Sequence, residues 1–401
     1  MQKFEKHSPV VVTEVTTKHE LRQFMQYPNR LYADNPNYIP SFYGDDLSDW
    51  TPGKNPAFDY CEARCWLAWR DGEIVGRIGA ILSHKANDKF GTHRMRFSQV
   101  DFVDDSEVSA ALFGMVERWA REKGCDQVHG PLGFTDMDRE GMLVEGFDRR
   151  SLFFTNYNAP YYLEHLTRLG YRKDVDWIEY RITVPAPGST EAERLHKLSE
   201  FILKRKNLHV ATVHHKSEYG PFVRQVFELV NAAYAPLYGV VELSDEQIER
   251  YANKFIPLVD PDFVCFVLDE QDKLVAFGVT ALDPSVALKH SDGRLFPFGW
   301  AGVLNDLHHS DTLIMLLTAV RPDLQTEGIN AVMMDHVCQS CNRHGVQFAE
   351  TGPMLELNDH ILAQWKRLEK EQHKRRRCWV KELNAVPAGA GSHTDRDAQE
   401  A

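Results

Sequence analysis

The chain has 401 residues, of which 43% are hydrophobic and 11% aromatic, a composition typical of folded domains rather than of disordered chains. Its length predicts roughly two or three domains with sizeable cores. There are 46 Lys and Arg residues against 58 Asp and Glu residues, which gives a formal net charge of -12. This balance argues against a nucleic-acid partner, because neutralising phosphates requires a basic face.

The seven cysteines bear on the cellular compartment. An odd number of cysteines in a long chain that does not open with a secretory leader indicates reduced thiols, so we predict a cytoplasmic protein. The best apolar run, at 313–320, is far shorter than the ~20 residues that cross a bilayer. We therefore expect a soluble protein, or one that is at most peripheral to the inner membrane face.

Two segments predict the second strand of a β-hairpin. Residues 71–82 read DGEIVGRIGAIL and residues 271–282 read QDKLVAFGVTAL, and each follows another apolar run across a short polar turn. The Asp71-Gly72 pair is well suited to a tight turn.

In the first half, a strand at 97–103 leads through Asp104, Asp105, Ser106 and Glu107 directly into a helix. Asp104 and Glu107 have the spacing of a capping box. The apolar stripe of the helix has i, i+3, i+4 spacing and comprises Val108, Leu112, Met115, Val116 and Trp119. A closing helix at 159–169 and a last strand at 176–184 follow, before a Pro- and Gly-rich linker.

The second half contains the same order of elements with a different turn. A strand at 314–320 continues into the turn VRPDLQTEGIN (320–330), then a helix and a strand at 346–350. Main-chain N–H groups at the start of a helix, together with the helix dipole, bind a pyrophosphate with few basic side chains. Arg321 favours this interpretation and Glu327 opposes it, and an ordinary strand-to-helix loop is the alternative.

Residues 124–131 and 345–353 each carry a Gly, then a Gln, then a Gly-Pro pair. Because such matches recur in the same order in both halves, we interpret the chain as a structural duplication. The long insert at 283–311 predicts either a lid or a simple loop.

The turn from Gln325 to Asn330 resembles the acyl-CoA loop of the GNAT family of N-acetyltransferases, Gln/Arg-x-x-Gly-x-Gly/Ala. Gln325 and Gly328 match, and Asn330 stands where Gly or Ala is usual. Residues 157–171 resemble the family's coenzyme-side motif, and the helix leading to Trp365 has Trp where members often carry Tyr. The chain is most similar to bacterial tandem-GNAT proteins.

The resemblance implies an α/β (α+β) fold of two tandem GNAT-like domains, each a mixed, mainly antiparallel sheet flanked by helices. We assign 1–185 to an N-terminal domain without a phosphate loop and 186–190 to a linker. Residues 191–385 form a C-terminal domain with the acyl-CoA loop, and 386–401 a disordered tail. Carboxylates at the first helix start repel a pyrophosphate, so we expect the N-terminal domain to wall the substrate cleft or to mediate packing.

The resemblance also implies that acyl-CoA, acetyl-CoA or longer, is the co-substrate and that a primary amine attacks its thioester directly. A backbone N–H of the strand at 314–320 would stabilise the oxyanion. Glu350 is the predicted general base, and an exposed strand-end carboxylate is the alternative. The predicted coenzyme contacts are Val320, Arg321, Gln325, Gly328, Ile329, Asn330 and Asn358, the last of which is otherwise a helix N-cap.

No metal site is predicted. His336, Cys338, Cys341 and His344 contain a Cys-x-x-Cys spacing, but they lie inside a predicted helix, whereas metal knuckles usually sit on turns.

The acceptor amine is expected to be either a long-chain, sphingoid-type amine, as in ceramide formation, or a small molecule. The basic run KRRR at 374–377 predicts a solvated face, or else attraction to a coenzyme 3′-phosphate or to an anionic lipid surface. Two other functions remain open at this point: a Fem-type transferase that uses aminoacyl-tRNA, and a catalytically inactive binding protein. The sequence leaves acyl length and oligomeric state unspecified.

Overall fold

The computed structural model describes residues 8–383, so the predicted tail at 386–401 lies outside the described residues. The strands are β1 Val11–Glu14, β2 Cys61–Arg70, β3 Glu73–Ser83, β4 Arg94–Phe102, β5 Gln127–Gly130, β6 Met142–Glu145, β7 Arg172–Thr183, β8 His209–Val210, β9 Val264–Leu268, β10 Leu274–Leu282, β11 Thr312–Val320, β12 Phe348–Glu350, β13 Met354–Leu355 and β14 Lys370–Glu382. The helices are α1 Lys18–Leu31, α2 Tyr43–Asp49, α3 His84–Phe90, α4 Ser106–Glu122, α5 Tyr162–Arg168, α6 Thr190–Lys206, α7 Gly220–Tyr234, α8 Asp245–Phe255, α9 Ser285–His290, α10 Gly299–His309, α11 Asn330–His344 and α12 Asp359–Ala363. Within the described part of the chain, every helix is too short or too polar to cross a membrane.

All strands belong to one sheet with the order β1-β2-β3-β4-β5-β14-β7-β12-β11-β10-β9-β8, while β6 pairs with β14 and β13 with β7. Most pairs are antiparallel. The β4–β5 and β11–β12 pairs are parallel, and each is connected through a helix, α4 or α11. The predicted fold of two tandem units, each mainly antiparallel and flanked by helices, is therefore confirmed.

The predicted hairpins are present in both halves. The β2–β3 turn places Asp71 at φ 51° and Gly72 at φ 83°, the left-handed conformations that such a two-residue turn requires. β9 and β10 form the second hairpin, across the longer turn at 269–273. Both α4 and α11 end at a glycine of positive φ, Gly124 and Gly345, which explains why these glycines recur in the sequence.

The prediction for the start of α4 is wrong in one detail. Asp105, not Asp104, caps the helix, because its side chain accepts hydrogen bonds from the N–H groups of Glu107 and Val108. Asp104 instead lies 2.9 Å from Nε2 of His165 on α5.

The last strands of the two halves are exchanged, which the sequence analysis does not anticipate. β14 lies between β5 and β7, with Trp379 opposite Gly130 on one side and Lys370 opposite Ile182 on the other. β7 in turn pairs with β12 of the second half. Each half therefore completes its sheet with a strand from the other.

Charged residues are buried along this exchange. The solvated-face interpretation of 374–377 is wrong for Lys374 and Arg376, which are almost fully buried against Glu179 of β7. Because side chains alternate along a strand, the other two arginines emerge on the opposite face, where Arg375 pairs with Glu356 and Arg377 with Asp176. All four basic side chains of the run therefore form ion pairs within the molecule.

Replacing Glu179 with Ala should lower the free energy of unfolding by roughly 3–5 kcal/mol, because Arg376 would remain buried without its carboxylate partner. Burial alone would raise the pKa of Glu179, but the Arg376 and Lys374 cations outweigh burial and hold that pKa below its usual value. The stabilisation is therefore present above the unfolded pKa of ~4.3 and is lost as the pH falls through the folded pKa. Urea unfolding of the wild-type and variant proteins at pH 7 and pH 3 measures both effects.

The matched control is Glu371→Ala, which removes a half-exposed partner of Arg149 on β14 and should cost at most ~1 kcal/mol. Equal destabilisation by the two variants would contradict the importance assigned to the buried pair.

Candidate active site

Strands β11 and β12 separate, and the gap between them is the centre of the candidate site. They pair only from Thr312 to Ile314, after which β11 continues to Val320 with a partner on its β10 side alone. The β10–β11 register shifts between Val279 and Thr280, so that β11 carries an extra residue there. Such bulges commonly redirect a strand beside an active site. The separated strands leave the backbone edge of β11 beyond Ile314 without a β-strand partner among the described residues.

The turn before α11 supplies free N–H donors. Gly328 has φ 80°, a conformation that side chains rarely adopt. Within residues 8–383, no intramolecular hydrogen bond is donated by the main-chain N–H groups of Gln325, Thr326, Gly328, Ile329 and Asn330. Together with the helix dipole, these donors form a cradle that fits a pyrophosphate. The residues present therefore fit the coenzyme that the resemblance implies.

Basic side chains reach this turn from α6, which packs beside α11. Lys206 Nζ lies 2.6 Å from Glu327 Oε2 and offsets the one carboxylate that opposes phosphate binding. The last turn of α6 also carries Lys204 and Arg205. Lys206 and Arg205 are therefore the basic groups that lie near this turn, whereas the run at 374–377 pairs elsewhere. They were not evident from the sequence, because α6 lies far from the turn along the chain.

The other predicted coenzyme residues have mixed roles. The side chains of Val320 and Ile329 are buried in the core between α6, α11 and the sheet, so only their backbones are available to a ligand. Arg321 forms an ion pair with Asp323, and the Gln325 amide donates to the Val320 carbonyl.

Two predicted asparagines lie at helix starts. Asn330 begins α11 and lines an apolar cavity. Asn358 is the N-cap of α12 and accepts a hydrogen bond from the Ile361 N–H at 3.3 Å, in agreement with the N-cap alternative.

The corresponding place in the first half is closed to phosphate. Asp105 occupies the N–H donors at the start of α4, and Arg70 pairs with both Asp105 and Glu107. A second anion there would compete with both carboxylates.

An apolar cavity that is open to solvent, here the α11 cavity, lies between α11 and the separated strands. Its walls include Ile182, Val184, Met315, Met333, Val337 and Trp365. The indole N–H of Trp365 contacts the Met354 sulfur and is therefore turned into the protein.

A second apolar cavity, the α7–α8 cavity, lies on the other face of the sheet under α7 and α8 and is also open to solvent. Val279 and Leu317 line both apolar cavities. The two cavities therefore lie on opposite faces of this paired stretch of β10 and β11 and adjoin across it beside the β11 bulge.

A third cavity, the acidic cavity, lies between α2, α8 and residues 133–139. It shares Phe255 with the α7–α8 cavity. Its charged lining residues are Asp45, Asp46, Asp49, Asp138, Arg139 and Lys254. Arg139 pairs with Asp46, Arg250 with Asp49 and Lys254 with Asp45. Among residues 8–383 this leaves Asp138 as the lining carboxylate outside an ion pair, which favours a ligand that carries a positive charge.

Glu350 is buried, so the alternative of an exposed strand-end carboxylate is wrong. Its neighbour Ala349 lines the α11 cavity, and alternation along β12 therefore directs Glu350 to the opposite face of the sheet. There its carboxylate lies 3.2 Å from Lys374 Nζ and 3.8 Å from His373 Nε2. Burial and the Lys374 charge lower the pKa of His373 to about 4, so this imidazole is neutral at pH 7.

Two further carboxylates, Asp136 and Glu140, were missed by sequence reasoning. No ion pair holds either one among residues 8–383. Burial raises the pKa of Asp136 to about 6. The pKa of Glu140 is also raised, mainly by burial and secondly by the negative charge of Asp136. The pKa of Tyr234 is raised mainly by burial and, to a smaller extent, by the nearby charge of Asp136. The Tyr234 hydroxyl donates to the Thr318 carbonyl of β11 at 2.8 Å. The first half thus brings carboxylates towards the bulge of the second.

The Cys-x-x-Cys segment lies on α11, where Cys338 and Cys341 are buried and line the α11 cavity. His344 points away and contacts Asp262 at 2.7 Å. A different group, His129, Asp174 and Cys378, has ligand atoms close together, but the Tyr238 hydroxyl lies between them and hydrogen-bonds to all three.

The chain has the tandem GNAT fold. It superposes with a TM-score of 0.53 on a tandem GNAT protein from the clavulanic acid biosynthesis pathway, whose structure lacks AcCoA; the match has 14% identity and covers 95% of this chain and 100% of that one. No protein-family model matches the sequence.

Two curated proteins are similar in sequence. The chain is 29% identical over 299 residues to the bacterial ceramide synthase of Caulobacter vibrioides (strain NA1000 / CB15N), covering 73% of this chain and 75% of that protein. It is 27% identical over 379 residues to Protein YghO of Escherichia coli (strain K12), covering 93% of this chain and 95% of that protein.

Replacing Gly328 with Ala should weaken coenzyme A binding at least about tenfold, or ~1.4 kcal/mol. A Cβ at this position would lie 3.1 Å from Ile202 Cδ1 in a backbone conformation that disfavours alanine, so the N–H cradle must shift. Isothermal titration with coenzyme A measures the change. Gly345→Ala is the matched control, because it places the same strain at the other end of α11 with nothing within 4 Å. Equal loss of affinity in both variants would contradict the assignment of the cradle.

Proposed function

We propose that the protein is an acyl-CoA-dependent N-acyltransferase that transfers a long-chain acyl group to a long-chain, sphingoid-type primary amine. The fold and the 29% identity to a bacterial ceramide synthase support an acyltransferase. The choice of two long-chain substrates rests on the cavities.

The observation that carries the proposal is that two apolar cavities adjoin across the β10–β11 pair, beside one acidic cavity. The α11 and α7–α8 cavities share Leu317 at the point where β11 and β12 separate, and the acidic cavity adjoins the second of them at Phe255. An N-acylated sphingoid amine has two hydrocarbon chains and a polar head joined at one amide. Each part has a compartment of matching chemistry, because apolar chains gain free energy when they leave water and the ammonium gains from nearby carboxylates.

In this arrangement the coenzyme pyrophosphate binds at the start of α11, and the cations of α6 contribute to its binding. The pantetheine arm follows the open edge of β11 towards the bulge. The acyl chain enters the α11 cavity, and the amine approaches from the opposite face of the sheet.

The amine nitrogen attacks the thioester carbonyl carbon, and main-chain N–H groups on the open edge of β11 stabilise the oxyanion. Collapse of the tetrahedral intermediate breaks the carbon–sulfur bond and releases the coenzyme as a thiolate. A thiol of pKa ~8.5 leaves without a dedicated acid, which is consistent with Trp365 at a position where a tyrosine is common in the family.

The proton of the amine passes to a carboxylate on the acceptor face. We retain Glu350 as the proposed base because it lies on that face where the strands part. Asp136 is the second candidate, because a carboxylate with a pKa near 6 is largely ionised at pH 7 and still accepts a proton effectively.

Val337→Trp should fill the α11 cavity proposed for the acyl chain, because Val337 lines that cavity and is only partly buried. We expect palmitoyl-CoA to lose most of the thermal stabilisation that it gives the wild-type protein, while acetyl-CoA retains its own. Thermal-shift titration with acetyl-, octanoyl- and palmitoyl-CoA measures this trend. Leu357→Trp, at an exposed position, is the control. Stabilisation that does not depend on chain length in the wild-type protein would favour a small-molecule acetyltransferase, and no stabilisation by any of the three would favour a binding protein or an aminoacyl-tRNA-dependent enzyme.

Glu350→Gln and Asp136→Asn separate the two candidate bases. Loss of the base should lower kcat by about 10²- to 10⁴-fold and leave coenzyme affinity nearly unchanged. A pH–rate profile adds a second readout, because activity that depends on ionised Asp136 rises as the pH increases through about 6. If Glu350→Gln keeps wild-type turnover while Asp136→Asn abolishes that rise, Glu350 is not the base.

A further inference from the structure

The insert between β10 and β11 carries a group of exposed apolar side chains, here called the aromatic tip. It comprises Val286 of α9, Phe296 and Phe298 of the connecting turn, and Trp300 and Leu304 of α10, with 51, 81, 81, 47 and 44% of their surface exposed. These side chains account for half of the ten large hydrophobic side chains that are exposed between residues 8 and 383. Such a concentration on one segment marks an interaction surface rather than scattered surface residues.

The insert is not a loose loop, because its other side is firmly packed. Leu288 and Val303 are buried against Phe42 and Phe153 of the first half. The Asp306 carboxylate accepts a hydrogen bond from the Ala287 N–H at 2.7 Å and joins α10 to α9. The aromatic tip is therefore held outwards on a rigid base.

Basic groups border the aromatic tip. Arg294 stacks over Tyr43, and the exposed His290, His308 and His309 belong to the same insert. Among the described residues, none of these four side chains forms an ion pair, unlike the basic run at 374–377. Phenylalanine and tryptophan beside the Arg294 guanidinium suit the interface of a phospholipid bilayer, where apolar rings enter the acyl boundary and a cation meets phosphates.

The insert also adjoins the candidate active site. Leu316, in the bulged stretch of β11, packs in the same cluster as Val303 and Ile314. A bilayer that contacts the aromatic tip would therefore lie beside the β11 bulge, where the two apolar cavities adjoin.

We propose that the aromatic tip docks the protein on a phospholipid bilayer by inserting Phe296, Phe298 and Trp300 into the interfacial region. Phe296 and Phe298 each leave 81% of their surface exposed, so a fluid surface that can surround the rings suits them better than a fixed groove in a folded partner. The docking itself does not depend on the proposed function. The further idea, that docking delivers a lipid amine to the candidate active site, rests on that function.

Co-sedimentation of the full chain with phosphatidylcholine vesicles, with and without phosphatidylglycerol, tests the proposal. The triple variant Phe296→Ser, Phe298→Ser, Trp300→Ser should lower the partition coefficient at least about tenfold, since three apolar side chains no longer leave water. Phe90→Ser, which removes an exposed aromatic ring from the first half, is the matched control and should change partitioning less than about twofold.

Two parallel measurements keep docking separate from catalysis and folding. Coenzyme A affinity and the thermal midpoint of the triple variant should match those of the wild-type protein, because the tip touches neither the cradle nor the core. The proposal is overturned if the wild-type protein binds neither vesicle composition, or if the triple variant binds both as the wild type does. It is also overturned if the variant instead loses self-association in sedimentation velocity, which would assign the tip to a second copy of the chain.

Discussion

The exchange of last strands is the constraint on which the rest of the structure depends. β14 completes the sheet of the first half and β7 that of the second, and the buried Glu179–Arg376 pair lies across the boundary between them. Breaking such a pair leaves an uncompensated charge in a low-dielectric interior, so only a narrow range of strand registers is tolerated. This restriction fixes the position of one half relative to the other. The two halves are consequently a single mechanical unit, although each repeats the same order of elements.

The candidate active site is a product of that fixed relation. The cradle, the separated strands and the apolar cavities belong to the second half, whereas residues 133–139 and Asp136 are contributed by the first. The first half has lost the phosphate-binding turn, since Asp105 and Arg70 occupy its place. It instead brings the carboxylate of Asp136 close to Tyr234, whose hydroxyl donates to β11.

Features that depend on local sequence were predictable. The Asp71-Gly72 pair predicted a hairpin, and Gly328 predicted a turn before a helix, because the residue itself sets the backbone conformation at such positions. The acidic cavity and the position of the α6 cations beside the turn were not predictable, since the residues that come together there are distant in sequence. The solvated-face prediction for the run at 374–377 was wrong for the same reason. Four consecutive charges suggest a solvated face unless their partners on β7 are known. Glu350 was located correctly on its strand, but its burial and its contact with Lys374 required the three-dimensional fold.

The strand order has a consequence for how the protein is made. When the first half leaves the ribosome, the edge of β5 that β14 will cover is unpaired and remains so for the synthesis of roughly 240 more residues, from β5 to β14. An exposed edge of this kind is a template for pairing with other chains. The maturing polypeptide therefore passes through a long interval in which its first sheet is open to association with other chains. The interval ends when β14 is inserted beside β5.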